Sequence, residues 1–362
     1  MLRLRWFTWQ RYERYLRNHS FRRQYSISNN KTAAFVFDID GVLIRGKQVL
    51  DPGSFVFRAL SQKLYKMYNR QKFPIAFLTN GGGCTEAEKA RQLSEWFNLP
   101  IQSDQIVLSH TPLRELSAKF NKEELAVVCV GRGHPDVVAS SYGFRYVIPI
   151  EEIGRLEPEA TPFCDYEKVR KTSWDQQALH KPIGGILIMS DSTDWGRDIQ
   201  IICDILQSNS RIVFVTQEEV KVYFTNPDFV WANEYPFPRF GQGAFRLALE
   251  EIYQELVGKP LPYIQYGKPY SIQYRYMENL LRKQALSQGY SDLEVIYAIG
   301  DNPAADIRGA RNAGKPWIPI LVRTGCFSTN KGDNDPNDPA DYVFQDVNEA
   351  ISTLVKKPYP SQ

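Results

Sequence analysis

Cysteine is scarce in this 362-residue chain: Cys84, Cys129, Cys164, Cys203 and Cys326 are scattered, with no C-x-x-C pair. An odd, dispersed set excludes a disulfide framework or a thiolate zinc site and fits a reducing compartment. Long apolar runs are missing too. GGILIM and IYAIG fall far short of the about 20 residues that cross a bilayer, so no transmembrane segment is expected. No internal repeat with a period of about 20 to 50 residues is visible. Acid is nearly absent from residues 1–25, which hold seven arginines and one glutamate, and the net charge of +3 for the whole chain therefore hides a mildly acidic remainder. Beyond that segment no basic and aromatic stripe occurs, which argues against nucleic acid as a partner.

The arginine- and aromatic-rich start has the composition of a mitochondrial transit peptide. FRRQYSIS resembles a matrix-protease site and places the cut near Tyr25–Ser26, so the expected location is the mitochondrial matrix. A basic arm for anionic lipid or nucleic acid is the other reading of the same residues.

What the rest of the chain has in plenty is short, β-branched apolar runs. AAFVF, PIAFLT, LAVVCV, GGILIM, RIVFVT and VIYAIG alternate with segments of helical period such as EAEKARQLSEWFNL and SIQYRYMENLLRKQAL. Such alternation predicts βαβ units, and runs without polar interruption predict parallel strands covered on both faces. The expected class is α/β, a doubly wound parallel sheet.

Several of these strands end in chemistry. In AFVFDIDGVLIRG, Asp38 and Asp40 share one side of the pleat, where two acids repel unless a cation lies between them. FLTNGGG ends in Thr79 and Asn80 before three glycines, QYGKP carries Lys268, and YAIGDNPAADIRGA carries Asp301 and Asp306. Ligands of open parallel sheets sit at the carboxyl ends of strands, so these residues are expected in one crevice.

That set suits phosphoryl transfer. Asp38 is the expected nucleophile, forming an aspartyl phosphate. Asp40 would protonate the leaving oxygen and then activate water. Thr79 and neighbouring N–H groups would hold phosphoryl oxygens, and Lys268 would supply positive charge. Hard carboxylate oxygens suit Mg²⁺, with Asp38, Asp40, Asp301 and Asp306 as candidate ligands and the Ile39 carbonyl also within reach.

The ordered set DIDGV, LTNG, GKP and GDNPAAD resembles the haloacid dehalogenase (HAD) superfamily over essentially the whole predicted core. The second aspartate points to a phosphatase rather than a dehalogenase. Nearly 190 residues separate Asn80 from Lys268, and their own strand and helix alternation resembles the large inserted cap of HAD class IIA. The resemblance implies a presequence over 1–25, a Rossmann-like core over 26–102 and 240–362, and an α/β cap over 103–239. It also implies Asn80, Gly81, Asn226 and Asp228 as substrate-binding residues, a small phosphorylated metabolite as partner, and a homodimer through the cap. Relatives often read TNN where this chain reads TNGGG, so the turn is expected to be looser or to approach substrate more closely.

Other candidates have plainer explanations. Asp333 and Asp335 mimic the start of a calcium loop, but Asp338 and Phe344 stand where Gly and Glu are needed. Cys84 has no histidine nearby, His134 has no acidic partner, and Asp191, Asp194 and Asp198 suit a solvated loop and a helix start. Against the phosphatase stand two alternatives: a non-catalytic or weakly active binding or assembly protein of mitochondria on the same fold, and a phosphotransferase to an acceptor other than water.

Overall fold

The computed structural model describes residues 30–45, 48–49, 55–67, 73–169, 171–231, 235, 237, 239–327 and 332–356. The presequence and its cut lie outside the described residues.

Apart from a two-residue antiparallel pair, Ile44–Arg45 with Gln48–Val49, the strands in chain order are β1 (Lys31–Phe37), β2 (Ile75–Leu78), β3 (Ile106–Val107), β4 (Ala126–Val130), β5 (Tyr146–Pro149), β6 (Ile183–Ile188), β7 (Lys221–Phe224), β8 (Val230–Trp231), β9 (Arg239–Phe240), β10 (Tyr263–Gln265), β11 (Asp292–Gly300), β12 (Trp317–Val322) and β13 (Tyr342–Phe344). Four helices matter below: α1 (Glu86–Phe97), α2 (Trp195–Leu206), α3 (Gln242–Val257) and α4 (Ser271–Ser287).

Two parallel sheets result. The core sheet has six strands in the order β13-β12-β11-β1-β2-β3, and the second has five in the order β10-β7-β6-β4-β5. In β1 alternate residues enter opposite layers: Ala33, Phe35 and Phe37 join one apolar cluster, Ala34 and Val36 another. A strand buried on both faces needs this unbroken apolar run. The core sheet reverses direction at β1, whose neighbours are β2 and β11, so the crevice between β1 and β11 is the topological switch point.

The cap boundaries differ from those the sequence suggested. β3 pairs with β2, so the core's first part runs past 102. Helix α3 lays Phe245, Leu249 and Tyr253 among the cap's Ile186, Ile188, Val222 and Phe224, and β10 pairs with β7. The cap therefore extends to about residue 265, not 239. The periodicity of α3 fixes a helix but not which sheet buries its apolar face.

Candidate active site

Because β1 and β11 pair in parallel, with Phe37 opposite Ile299 and the Asp38 N–H donating to the Ile299 carbonyl at 2.9 Å, Asp38 and Asp301 emerge side by side. A turn at Pro303–Ile307 brings Asp306 back over Gly300, where even a β-carbon would fall 2.2 Å from the Asp306 side chain. Asp38, Asp301 and Asp306 are buried, and one carboxylate oxygen from each lies within 4.8 Å of the others. Among the described residues this is the one such acidic group that could hold a metal.

Lys268, only 3 % exposed, is the counter-charge. Its Nζ donates to Asp38 Oδ1 at 2.8 Å, Asp306 Oδ1 at 2.6 Å and the Leu78 carbonyl at 3.3 Å. Burial alone would lower its pKa, but Asp306 and Asp38 outweigh burial and hold it well above its ordinary value. One ammonium does not balance three acids. Burial, opposed by Lys268 and aided by the neighbouring carboxylates, raises Asp38 well above the carboxylate range. Asp301 is pushed up to about 6, by burial first and by Asp306 next. A buried, cation-deficient set of hard oxygen donors fits a divalent metal ion of the Mg²⁺ or Ca²⁺ kind.

The Asp40 side chain is exposed at the mouth, apart from the three-carboxylate group. It accepts a long hydrogen bond from Thr79 Oγ1 at 3.4 Å, while Thr79 Oγ1 accepts from the Gly81 N–H at 2.9 Å. The Asp40 side chain, expected among the metal ligands, thus stands outside the converging acidic group, and Gly41 after it takes φ +85°. A side chain at Gly41 would also meet Asp301 Oδ2 at 2.5 Å.

Asn80 is equally specific. Its Oδ1 accepts from the Lys268 N–H at 2.7 Å, and its Nδ2 donates to the Lys268 carbonyl at 3.1 Å and to Asp228 Oδ1 at 3.2 Å. Asn226 Oδ1 accepts from the Asp228 N–H at 2.8 Å. Asn80, Asn226 and Asp228, expected at the substrate, bond to one another and, through Asn80, to the backbone of Lys268, so they also tie the cap to the core beside the crevice.

The glycines after Asn80 serve that junction as well. A β-carbon on Gly82 would lie 2.9 Å from the cap's Met189 carbonyl, and one on Gly133 would lie 2.3 Å from the Gly83 carbonyl. A capping box between Thr85 and Glu88 then starts α1 directly after the loop.

Two groups of residues escaped the sequence reading. After β12, the Cys326 N–H donates to Asp301 Oδ2 at 2.6 Å, and a β-carbon on Gly325 would overlap the same oxygen. The signal was present, since IPILV is another apolar strand ending in polar Thr324 and Gly325. The second group is a buried knot: Glu86 Oε1 accepts from Thr111 Oγ1 at 2.6 Å and from the cap's Tyr142 hydroxyl at 2.5 Å, and Tyr142 meets His110 Nδ1 at 2.6 Å. Burial lowers His110 to about 4 and so keeps it neutral. No local pattern joins residues so far apart in sequence.

Family profiles described as haloacid dehalogenase-like hydrolase and HAD-hydrolase-like match residues 35–145 and 265–350. A mitochondrial hydrolase of Saccharomyces cerevisiae is 34 % identical over 358 residues, covering 91 % of this chain and 97 % of the relative. The chain belongs to the haloacid dehalogenase-like hydrolase family. A Schizosaccharomyces pombe protein named as a fusion of cardiolipin synthase (CMP-forming) with a mitochondrial hydrolase is also 34 % identical, over 98 % of this HAD chain. This chain spans 59 % of the length of that fusion. Among solved structures, a 4-nitrophenylphosphatase from Thermotoga maritima superposes with TM-score 0.60 at 16 % identity, covering 90 % of this chain and 97 % of the other. A glycerol phosphate phosphatase from Mycobacterium tuberculosis in complex with magnesium gives TM-score 0.54 at 19 % identity, covering 87 % and 75 %. At such identities these neighbours establish the HAD fold.

Proposed function

We propose that this hydrolase is a Mg²⁺-dependent phosphatase of the mitochondrial matrix that cleaves a small phosphomonoester through an aspartyl phosphate on Asp38. The observation that carries the reading is the buried group of Asp38, Asp301 and Asp306 at the switch point with a single ammonium, Lys268, among them. The basic presequence and the names of the two yeast relatives support the location.

Asp38, Asp301 and Asp306 would hold the divalent cation, which neutralises excess carboxylate charge and draws the phosphoryl group in. Lys268 occupies Asp38 Oδ1, leaving Oδ2 to attack phosphorus as the bond to the leaving oxygen breaks. Asp40, at the mouth, gives that oxygen a proton. In the second step it takes a proton from water as the water oxygen attacks phosphorus, releasing inorganic phosphate and restoring Asp38. The Thr79 hydroxyl and the adjacent N–H groups hold the phosphoryl oxygens in both steps.

The test is phosphate release from a panel of glycerol phosphate, sugar phosphates, p-nitrophenyl phosphate and nucleoside monophosphates, with and without Mg²⁺, beside Asp38→Asn. Cytidine monophosphate belongs in the panel because the fusion relative's synthase is named for forming it. Metal-dependent release abolished in the variant supports the mechanism. Release equal in variant and wild type would sink it.

A further inference from the structure

Tyr274 stands on helix α4, six residues after Lys268, in the stripe Tyr274, Met277, Leu281 and Ala285 that the helix buries against the core sheet. Leucine or methionine would fill such a position, and a buried phenol hydroxyl is costly unless it finds a partner. The Tyr274 side chain is 1 % exposed, and its ring packs edge to face on Trp317 at 5.1 Å. The hydroxyl reaches out of this apolar cluster and donates to the Asp306 carbonyl at 3.0 Å, with the Ala305 carbonyl 3.3 Å away.

The chain makes room for that bond. A β-carbon on Gly309 would lie 2.3 Å from the Tyr274 ring, so the helix Arg308–Ala313 can come this close only with glycine there. Asp306 itself lies against Gly300, whose missing side chain admits it.

One segment therefore holds Asp306 at two points. Lys268 Nζ donates to its Oδ1 at 2.6 Å and the Tyr274 hydroxyl to its carbonyl, while the Asn302 N–H donates to its Oδ2 at 3.1 Å. Beneath the group, Tyr274, Asp38, Asp306, Val36 and Ala298 are among the walls of a cavity of only about 10 Å³, room for one water at most. Asp306 has little slack to sink into.

We propose that Tyr274 is a positioning residue for the metal: through the Asp306 carbonyl its hydroxyl fixes the direction in which the Asp306 carboxylate faces a bound Mg²⁺. That role rests on the proposed metal site of Asp38, Asp301 and Asp306, and not on the aspartyl phosphate or on any one substrate. Mg²⁺ demands near-ideal octahedral geometry, so a small tilt of one carboxylate weakens its binding, whereas Ca²⁺ accepts variable geometry. Groups that orient metal ligands are commonly worth about 10- to 100-fold in affinity.

The experiment compares the full chain with two variants. Tyr274→Phe removes the hydroxyl and keeps the ring; Trp317→Phe loosens the packing of the same ring and leaves the hydroxyl in place. Binding of Mg²⁺ and of Ca²⁺ is measured by calorimetry well below each melting temperature, and phosphate release from the same phosphomonoester panel is followed against Mg²⁺ concentration. Expected for Tyr274→Phe are a loss of Mg²⁺ affinity of about tenfold or more, a smaller loss for Ca²⁺ and a rate that excess Mg²⁺ restores. Trp317→Phe should lower the melting temperature and keep the wild-type affinity. Wild-type Mg²⁺ affinity in Tyr274→Phe overturns the proposal. So does an equal loss in the two variants, because affinity then follows packing, and so does an equal loss for both ions, because direction is then immaterial. Loss of Mg²⁺ affinity in Tyr274→Phe with no phosphate release from any protein supports the positioning role and overturns the phosphatase reading instead. A wild type that binds neither ion overturns both.

Discussion

At the carboxyl end of the core sheet one ammonium, Lys268, faces Asp38 and Asp306 with Asp301 beside them, whereas in the cap, at the start of α2 just beyond β6, one guanidinium, Arg197, faces Asp198 at 2.7 Å. Both groups are buried, and burial raises Asp198 as it raises Asp38. In the cap group Asp198 also accepts from the Ser192 hydroxyl at 2.7 Å, and a second carboxylate, Glu151, lies 3.8 Å from Arg197. The core group is open, with more carboxylate than cation. Two sheets of one architecture therefore each bury a cation among carboxylates, but among the described residues only the core group brings three carboxylate oxygens within 4.8 Å of one another, and that is where a ligand's charge is needed.

Breaking each group should have opposite consequences. Asp38→Asn should lower phosphate release by about 10⁴-fold or more, the scale of removing a nucleophile. The same change relieves repulsion among the buried acids, so without metal the melting temperature of the variant should equal or exceed that of the wild type. A large fall in melting temperature would mean that the core group is structural, like the cap's.

In the cap, Arg197→Met should cost about 3 to 5 kcal/mol of stability in denaturant titrations by stranding Asp198, with a rate per folded molecule close to wild type. Adding Asp198→Leu should recover much of the loss, since an apolar pair of similar volume replaces a closed ion pair at little cost. If instead Arg197→Met lowered the rate of folded protein as far as Asp38→Asn does, the contrast between the two groups would fail.

The open group should also respond to pH. Asp301 has its pKa raised from 3.8 to about 6 in the fold, so below that value it carries a proton that a cation must displace. Mg²⁺ affinity by calorimetry should fall about tenfold per pH unit below 6 for each proton displaced. In metal-free protein the sign reverses: protonated Asp301 favours the folded state, and that contribution is lost as pH rises from 3.8 through about 6. A pH-independent affinity would remove Asp301 from the metal site.

The smallest effect concerns the junction of the two regions. Tyr142→Phe removes one donor from Glu86 and one partner from His110, and should cost about 1 to 2 kcal/mol. Because those contacts join the cap to the helix after the glycine loop, KM should change more than the stability loss alone explains. KM equal to wild type would make the knot a packing feature only.

Much of the core site was legible in advance because three of the four motifs sit at the ends of apolar strands of the core sheet, and a parallel sheet aligns such ends, whereas Lys268 follows a strand of the cap sheet. What the motifs left open were side-chain directions and partners. Asp40 is exposed while Asp38, two residues before it, is buried, which a D-x-D spacing does not reveal. Nor does the sequence show that Asp228, expected at the substrate together with Asn226, accepts from Asn80, 148 residues away. The cap boundary slipped from 239 to about 265 because α3 reads as a helix suited to either sheet until Phe245 and Leu249 choose the cap's. The run of three glycines, expected to be looser or to approach substrate more closely, is also where cap and core backbones touch.

The sequence by itself determined most of the strands, their parallel arrangement and the acids at their ends, because strand length, apolar continuity and position are local properties. The exception, RIVFVT, expected as a strand, makes only the single bridge of Val215 to Ile183. Only the tertiary structure decided which of those acids share a counter-charge and which already have one. That depends on register between β1 and β11, on the turn returning Asp306 to Gly300 and on the approach of Lys268, and each of these is a contact between segments far apart in the chain.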